Sequence, residues 1–179
     1  ELVAALPVAA LHEEAVEAHA DLGELDGEVE RGPRLREVGV AARLAGAHRA
    51  MIAEHNALPG QLVAGTDSHT PHSGALGCVA FGVGTTDMAN ALVTGVVRLT
   101  MPESVQVSLS GPVPAGLSAK DIVLHLLALP YIREGRGVGK VFEFAGSAVR
   151  AMSIDERATL TNMTAELGGL TGIVAPAAE

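Results

Sequence analysis

A short run of side chains able to carry protons and form hydrogen bonds follows an apolar segment at residues 61–64. The run at 65–72 reads Gly-Thr-Asp-Ser-His-Thr-Pro-His, so Asp67, Ser68 and His69 place a carboxylate, a hydroxyl and an imidazole in consecutive positions. Such groups suit general acid–base catalysis and the binding of an anionic substrate. The end of a strand is also where α/β folds place active sites. An ordinary Asp/Ser turn with incidental histidines is the plainer interpretation of the same residues.

A second candidate pair, Asn162 and Glu166, lies near the end of the chain. Ser-Ile-Asp-Glu at 153–156 is a capping box, and it predicts a helix that runs to Leu167 and ends at the glycines 168–169. Residues four apart share a helical face, although a solvated surface face is the plainer interpretation of this pair taken alone. A glutamate near a helix C-terminus opposes the helix dipole, which makes Glu166 a candidate for function. The positions expected to face the core are Ile154, Ala158, Thr161 and Ala165.

The elements that must position these residues alternate between strands and helices after Val38. Strands are predicted at 62–64, 104–109 and 141–145, and helices at 41–57, 86–94, 122–129 and 154–167. This alternation predicts an α/β fold with three α/β/α layers and a mainly parallel sheet. Residues 1–36 have little apolar mass and an acidic, glycine-bearing stretch, so we interpret them as an atypical N-terminal segment or linker before an α/β domain at 37–179.

Composition narrows the class of protein. The formal net charge of −9 argues against a nucleic-acid partner, and no apolar run is long enough to span a membrane. The single cysteine, Cys78, excludes an internal disulfide framework and a Cys-x-x-Cys metal site within these residues. His12 and His19 are interpreted as surface histidines rather than metal ligands. With no secretion-signal pattern visible, we expect a cytoplasmic protein.

Taken together, the two motifs resemble the signature of the aconitase and 3-isopropylmalate dehydratase large-subunit family. The resemblance extends from the run at 65–72 to Gly-Ala-Leu-Gly at 74–77 and Phe-Gly-Val-Gly-Thr-Thr-Asp at 81–87. It continues in Thr-Asn-Met-Thr-Ala-Glu-Leu-Gly at 161–168, with the order and spacing of that family. It covers roughly residues 44–176, and it implies the N-terminal part of an aconitase-like α/β domain.

The resemblance implies an iron–sulfur-dependent hydro-lyase that dehydrates and rehydrates hydroxy di- or tricarboxylic acids. A 4Fe-4S cluster would be its Lewis acid. The family's cluster-ligating cysteines lie downstream of the motif at 161–168, and Cys78 does not match one, so the ligands are expected outside this chain. The implied partners are the hydroxycarboxylate substrate, the remaining large-subunit domains and a separate small, swivelling subunit. The isolated chain is expected to be inactive, and a non-catalytic aconitase-like binding or assembly module is the alternative.

The resemblance also implies catalytic roles for His48, Asp67, His69 and Glu166. Asp67 would pair with a histidine on the preceding helix, for which His48 is the first choice and His55 the competing one. His69 would pair with Glu166 to help protonate the leaving hydroxyl.

Two further residues are assigned by the resemblance to substrate binding. Ser68 would hydrogen-bond a substrate carboxylate, and Asn162 would lie close to the cluster. Of the other histidines, His72 is expected to be an exposed loop residue and His125 to be a satisfied core residue.

Overall fold

The structure, a computed structural model, describes residues 57–176 and, in addition, the backbone of three strands at 3–7, 35–39 and 42–43. The strands in chain order are β1 (Val3–Pro7), β2 (Leu35–Gly39), β3 (Ala42–Arg43), β4 (Gln61–Gly65), β5 (Val79–Gly82), β6 (Val96–Thr100), β7 (Ser104–Ser108), β8 (Val141–Ala145) and β9 (Thr171–Val174).

The described helices are of two kinds. The α-helices are α1 (Thr85–Thr94), α2 (Ala119–Ala128), α3 (Pro130–Arg133), α4 (Ser147–Ala151) and α5 (Ile154–Asn162). Two 3₁₀ helices, named here the 70–76 helix and the 163–165 helix, span Thr70–Leu76 and Met163–Ala165. Among the helices described, none combines the length and the apolar character that crossing a membrane requires.

The described strands are divided among three sheets. β4 and β5 are parallel, and β1 joins β4 in antiparallel orientation with β3 on its other side. β2 and β6 form an antiparallel pair, whereas β7, β8 and β9 form a wholly parallel sheet in that order. The predicted α/β class with parallel strands is therefore confirmed. The domain boundary expected between 36 and 37 stays a prediction, and β2 crosses that position.

Most of the predicted elements after residue 60 are confirmed. The three predicted strands correspond to β4, β7 and β8. Helix α1 ends at Gly95, which takes the left-handed conformation (φ 73°) that favours glycine. The predicted capping box of Ser153 with Glu156 opens α5, and a second box, Ser118 with Asp121, opens α2.

The predicted end of the last helix was wrong. The α-helix stops at Asn162 and tightens into the 163–165 helix instead of continuing to Leu167. The Thr164 hydroxyl donates to Thr161 O at 2.6 Å, so it competes for the carbonyl that the next α-helical N–H would use. The following amides then bond three residues back, as the contact from Leu167 N to Thr164 O at 3.1 Å shows.

Three smaller expectations were also wrong. Residues 42–43, placed in a helix from 41 to 57, form the strand β3, and residues 44–56 lie outside the described part of the chain. Ile154, expected to face the core, is exposed because it begins its helix beside the solvent-facing cap. His125 is exposed on α2, whose buried face is formed by Ala119, Val123 and Leu126.

Three apolar clusters hold the described residues together, the smallest of them formed by Ala57, Val63, Cys78 and Ala80. The largest covers the β7–β9 sheet and includes Phe142, Phe144, Val123 and Leu160. The second surrounds β4 and β5 and includes Leu62, Phe81, Met88 and Val97. The 70–76 helix contacts α5 and β9 and also β4 and β5, so it packs against strands of two different sheets. Its position makes it the link between the two candidate motifs.

The capping boxes make helix stability sensitive to acid. Hydrogen bonds from the Ser118 hydroxyl and N–H lower the pKa of Asp121 below 3.8, and those from the Ser153 N–H and hydroxyl lower the pKa of Glu156 below 4.5. Since the folded pKa values are depressed, the stabilisation is present above the ordinary pKa values and is lost as pH falls through the folded ones. In a carboxyl NMR titration, we expect both midpoints below these ordinary values. A Glu156 midpoint at or above 4.5 would contradict the capping geometry.

Candidate active site

The turn that follows β4 fixes the backbone around Asp67, Ser68 and His69. Asp67 Oδ1 accepts a hydrogen bond from His69 N at 2.8 Å, and Asp67 O accepts one from Thr70 Oγ1 at 2.9 Å. This is the Asx-type geometry expected of aspartate in a turn. Asp67 and His69 are half-buried, whereas Ser68 is exposed. The turn thus presents the serine hydroxyl to solvent and holds the aspartate carboxylate against the His69 backbone.

Two paired glycines make room for this turn. Gly65 and Gly82 lie opposite each other where the parallel strands β4 and β5 end. A Cβ at Gly82 would lie 2.6 Å from Asp67 O, and a Cβ at Gly65 would overlap the Thr70 side chain. Any side chain at either position would displace the turn from the sheet edge. The sequence predicted that the polar candidate residues come directly after a strand, and they do follow the carboxyl end of the buried strand β4.

The second part of the candidate site lies at the end of α5. Asn162 Oδ1 is buried and has no hydrogen-bond partner within the described part of the chain, whereas Glu166 is exposed. The α-helix ends at Asn162 and the 163–165 helix separates it from Glu166. The expectation that both side chains share one helical face therefore stays a prediction. Buried polar atoms usually have a partner, so the Asn162 amide is the more unusual of the two.

A partly buried hydrogen bond connects the two parts. The Thr161 hydroxyl, next to Asn162 in the chain, donates to His72 O in the 70–76 helix at 3.1 Å. His69 is the residue at the N-cap position of that helix, and the His72 ring Nδ1 lies 3.2 Å from His69 O. His72 is half-buried rather than the exposed loop residue expected from sequence. The Asp67–His69 turn and the Asn162 helix end are thus held on elements in direct contact.

Some of the predicted site stays a prediction. His48 and its competitor His55 lie outside the described residues, so the pairing of either with Asp67 is untested. The same holds for a direct contact between the His69 ring and the Glu166 carboxylate. Thr161 was not assigned to the site from sequence; a polar residue on the core-facing side of the last helix was the available signal.

Cys78 does not have the character of a cluster ligand. Its thiol is fully buried and donates to Leu58 O at 3.1 Å. Burial raises the pKa of the Cys78 thiol to about 11, which disfavours the thiolate that binds metal. Residues 57–176 also contain no group of three or more histidine, cysteine or acidic side chains placed to hold a metal ion. These residues therefore do not provide a ligand set for an iron–sulfur cluster.

Cys78 should be almost unreactive in the folded protein. With a pKa of about 11, the thiolate fraction at pH 8 is at least about 10²-fold below that of a free cysteine, before any steric protection is counted. We expect iodoacetamide to label Cys78 at least about 10²-fold more slowly in buffer than in 6 M guanidinium, as measured by mass spectrometry. Rapid labelling of the native protein would show that the thiol is not enclosed.

Comparison with known proteins shows which family has these two motifs. The model of the aconitase family (aconitate hydratase) matches residues 35–179, which is most of the chain. The chain belongs to the aconitase family. Both motifs that carry the resemblance, at 65–87 and at 161–168, lie within the matched residues.

Among curated members of the aconitase family, the chain is similar to large subunits of 3-isopropylmalate dehydratase. It is 44% identical over 118 residues to that of Solibacter usitatus and 42% identical over 118 residues to that of Roseiflexus castenholzii, in each case over 66% of this chain and 25% of the relative. It is 39% identical over 119 residues to large subunit 1 of Bradyrhizobium diazoefficiens, covering 66% of this chain and 24% of that protein. The chain therefore spans about a quarter of the length of these relatives.

Proposed function

We propose that this chain is part of an iron–sulfur-dependent hydro-lyase that dehydrates and rehydrates a hydroxy di- or tricarboxylic acid. The observation that supports it most is the packing of the 70–76 helix against α5, because this contact joins the two family motifs. The names of the similar proteins favour a substrate of the isopropylmalate type. Within the reaction, the chain's part is to supply acid–base and carboxylate-binding groups.

The proposed acid–base groups are Asp67, His69, Glu166 and His48. An imidazole paired with a carboxylate holds a proton at an acidity set by their separation, and it can deliver that proton to a departing hydroxyl. We assign this role to His69 with Glu166. Asp67, whose carboxylate is oriented by the His69 N–H at 2.8 Å, would pair with His48 in the same way.

The proposed substrate-binding groups are Ser68 and Asn162. The Ser68 hydroxyl is exposed and its backbone is fixed by the Asx turn, which suits a hydrogen bond to a substrate carboxylate. Asn162 holds a buried amide oxygen without a partner in the described residues, which suits an additional polar contact at the same site.

In the complete enzyme, a 4Fe-4S cluster with ligands outside this chain would supply Lewis-acid chemistry toward the leaving hydroxyl. We do not assign Cys78 to the ligand set, because its thiol is buried and donates to Leu58 O. The proposed protein partners are the remaining large-subunit domains and a small subunit, because the similar proteins are named large subunits. We propose a cytoplasmic location for the assembled enzyme.

The test compares the 179-residue chain with the complete enzyme under anaerobic conditions. After incubation with iron, sulfide and thiol, we expect no stoichiometric cluster and no turnover on the 179-residue chain, whose sequence holds one cysteine. The complete large subunit with its small subunit should bind the cluster and interconvert isopropylmalate isomers. A stoichiometric cluster on the 179-residue chain would refute the assignment of the ligands. A cluster-loaded complete protein without turnover on any hydroxycarboxylate would favour the non-catalytic module.

A further inference from the structure

We infer that Thr161 is a positioning residue, whose hydroxyl sets the distance between the Asp67–His69 turn and Asn162. Thr161 is fully buried, and its Oγ1 lies 3.1 Å from His72 O and 3.3 Å from Ala158 O. A hydroxyl has one proton, and the shorter contact is the one that crosses to the 70–76 helix. The positioning role of Thr161 is inferred from this contact alone, whereas the expected effect of Thr161 on turnover rests on the proposed function.

The hydrogen bond leads directly to both parts of the candidate site. On one side, Asn162 is the next residue after Thr161 and ends the same helix. On the other side, His72 N donates to His69 O at 3.1 Å, and the His72 ring Nδ1 lies 3.2 Å from the same oxygen. A shift of His72 would therefore move the residue that follows Ser68.

The surrounding packing makes the hydroxyl difficult to replace. A Cβ at Gly172 would lie 2.9 Å from Thr161 Cα and 2.6 Å from Thr164 Cγ2, so β9 already approaches α5 as closely as glycine allows. An apolar residue at 161 would remove this donor from His72 O and place a nonpolar group against the carbonyl oxygen.

Thr164 provides a matched control. It is also a fully buried threonine, but its hydroxyl donates to Thr161 O at 2.6 Å, within its own segment. Replacing either threonine by valine removes one buried hydroxyl at nearly constant volume, and the effect of Thr164→Val is expected within its own segment, on Thr161 O and the 163–165 helix. Only the Thr161 substitution removes a hydrogen bond between α5 and the 70–76 helix.

The experiment compares Thr161→Val, Thr161→Ser and Thr164→Val in the 179-residue chain and in the complete enzyme. By NMR, Thr161→Val should shift the His72 carbonyl resonance and speed amide exchange in residues 70–76 at least tenfold. Thr161→Ser should keep the parent values, and Thr164→Val should leave the His72 carbonyl resonance unchanged.

In the complete enzyme, Thr161→Val should lower kcat about tenfold, with Thr161→Ser within twofold of the parent. If Thr161→Val does not fold, Thr161→Cys, a weaker donor, should give intermediate values.

An unchanged His72 resonance in Thr161→Val, or the same shift in Thr164→Val, would overturn the inference and leave the proposed function standing. A normal kcat for Thr161→Val in an active enzyme would also overturn it. An inactive parent enzyme with the predicted NMR changes would instead refute the proposed function while the structural role of Thr161 stands.

Discussion

Replacing Gly74 by alanine is expected to destabilise the protein by about 3 kcal/mol or more, a loss at the upper end of what overpacking costs. Gly74 is buried in the 70–76 helix, and a Cβ there would overlap the backbone carbonyl of Gly172 in β9. A backbone carbonyl held in a parallel sheet has no rotamer by which to move away. The 70–76 helix must therefore separate from β9, and the Thr161 to His72 hydrogen bond should be lost with it. Urea unfolding followed by circular dichroism measures the change.

Gly84→Ala is the matched control for this substitution. Gly84 is exposed at the start of α1, has a φ of −63° that any residue adopts, and would place its Cβ 3.4 Å from the Asp87 carboxylate. We expect that change to cost less than about 1 kcal/mol. Equal unfolding midpoints for Gly74→Ala and the parent would show that the 70–76 helix does not approach β9 this closely.

Glu166→Gln in the complete enzyme is expected to lower turnover by about 10²- to 10⁴-fold, as is usual when an acid–base partner is removed. Because Glu166 is exposed and glutamine has nearly the same shape, the free energy of unfolding should change by less than about 1 kcal/mol. Ser68→Ala should instead weaken substrate binding, since a hydrogen bond to a charged carboxylate contributes roughly 1.5–3 kcal/mol. Steady-state kinetics separates the two effects as changes in kcat and in KM.

Glu134→Gln controls for the loss of an exposed negative charge. Glu134 is an exposed glutamate at the C-terminal end of α3, and its substitution should leave both kinetic constants unchanged. A Glu166→Gln enzyme that turns over like the parent would mean that this glutamate is a surface residue without a catalytic role.

Elements with a strong local pattern were predictable from sequence. Strand β7 has the alternating exposure that its Ser-Val-Gln-Val-Ser sequence predicts, and α5 begins at the capping box of Ser153 and Glu156. The 3₁₀ helices were not predicted, because both depend on contacts that one segment cannot reveal. The 163–165 helix depends on the hydrogen bond that the Thr164 hydroxyl donates to Thr161 O. The 70–76 helix packs against strands of two different sheets.

The candidate site was predictable to a different degree at each residue. Asp67 and His69 could be placed after β4 because polar residues follow directly on the apolar run of this buried strand. Glu166 and Asn162 could be placed near each other along the chain, but the sequence did not predict that Asn162 is half-buried with a buried amide oxygen while Glu166 is exposed. Thr161 shows no chemical signature in a sequence, since a buried threonine on an apolar face is common in helices that have no site.

The two buried threonine contacts between distant segments have a consequence for the order of folding. Thr161 Oγ1 to His72 O spans 89 residues of chain, and Thr171 Oγ1 to Ala80 O spans 91. Closing a loop of that length costs roughly 4 kcal/mol in chain entropy. The two contacts share one closure, because forming either of them brings the partners of the other together. The β7–β9 sheet and the β4–β5 pair can each form before this closure, whereas the candidate site cannot. The site should therefore form after the β4–β5 pair and the β7–β9 sheet.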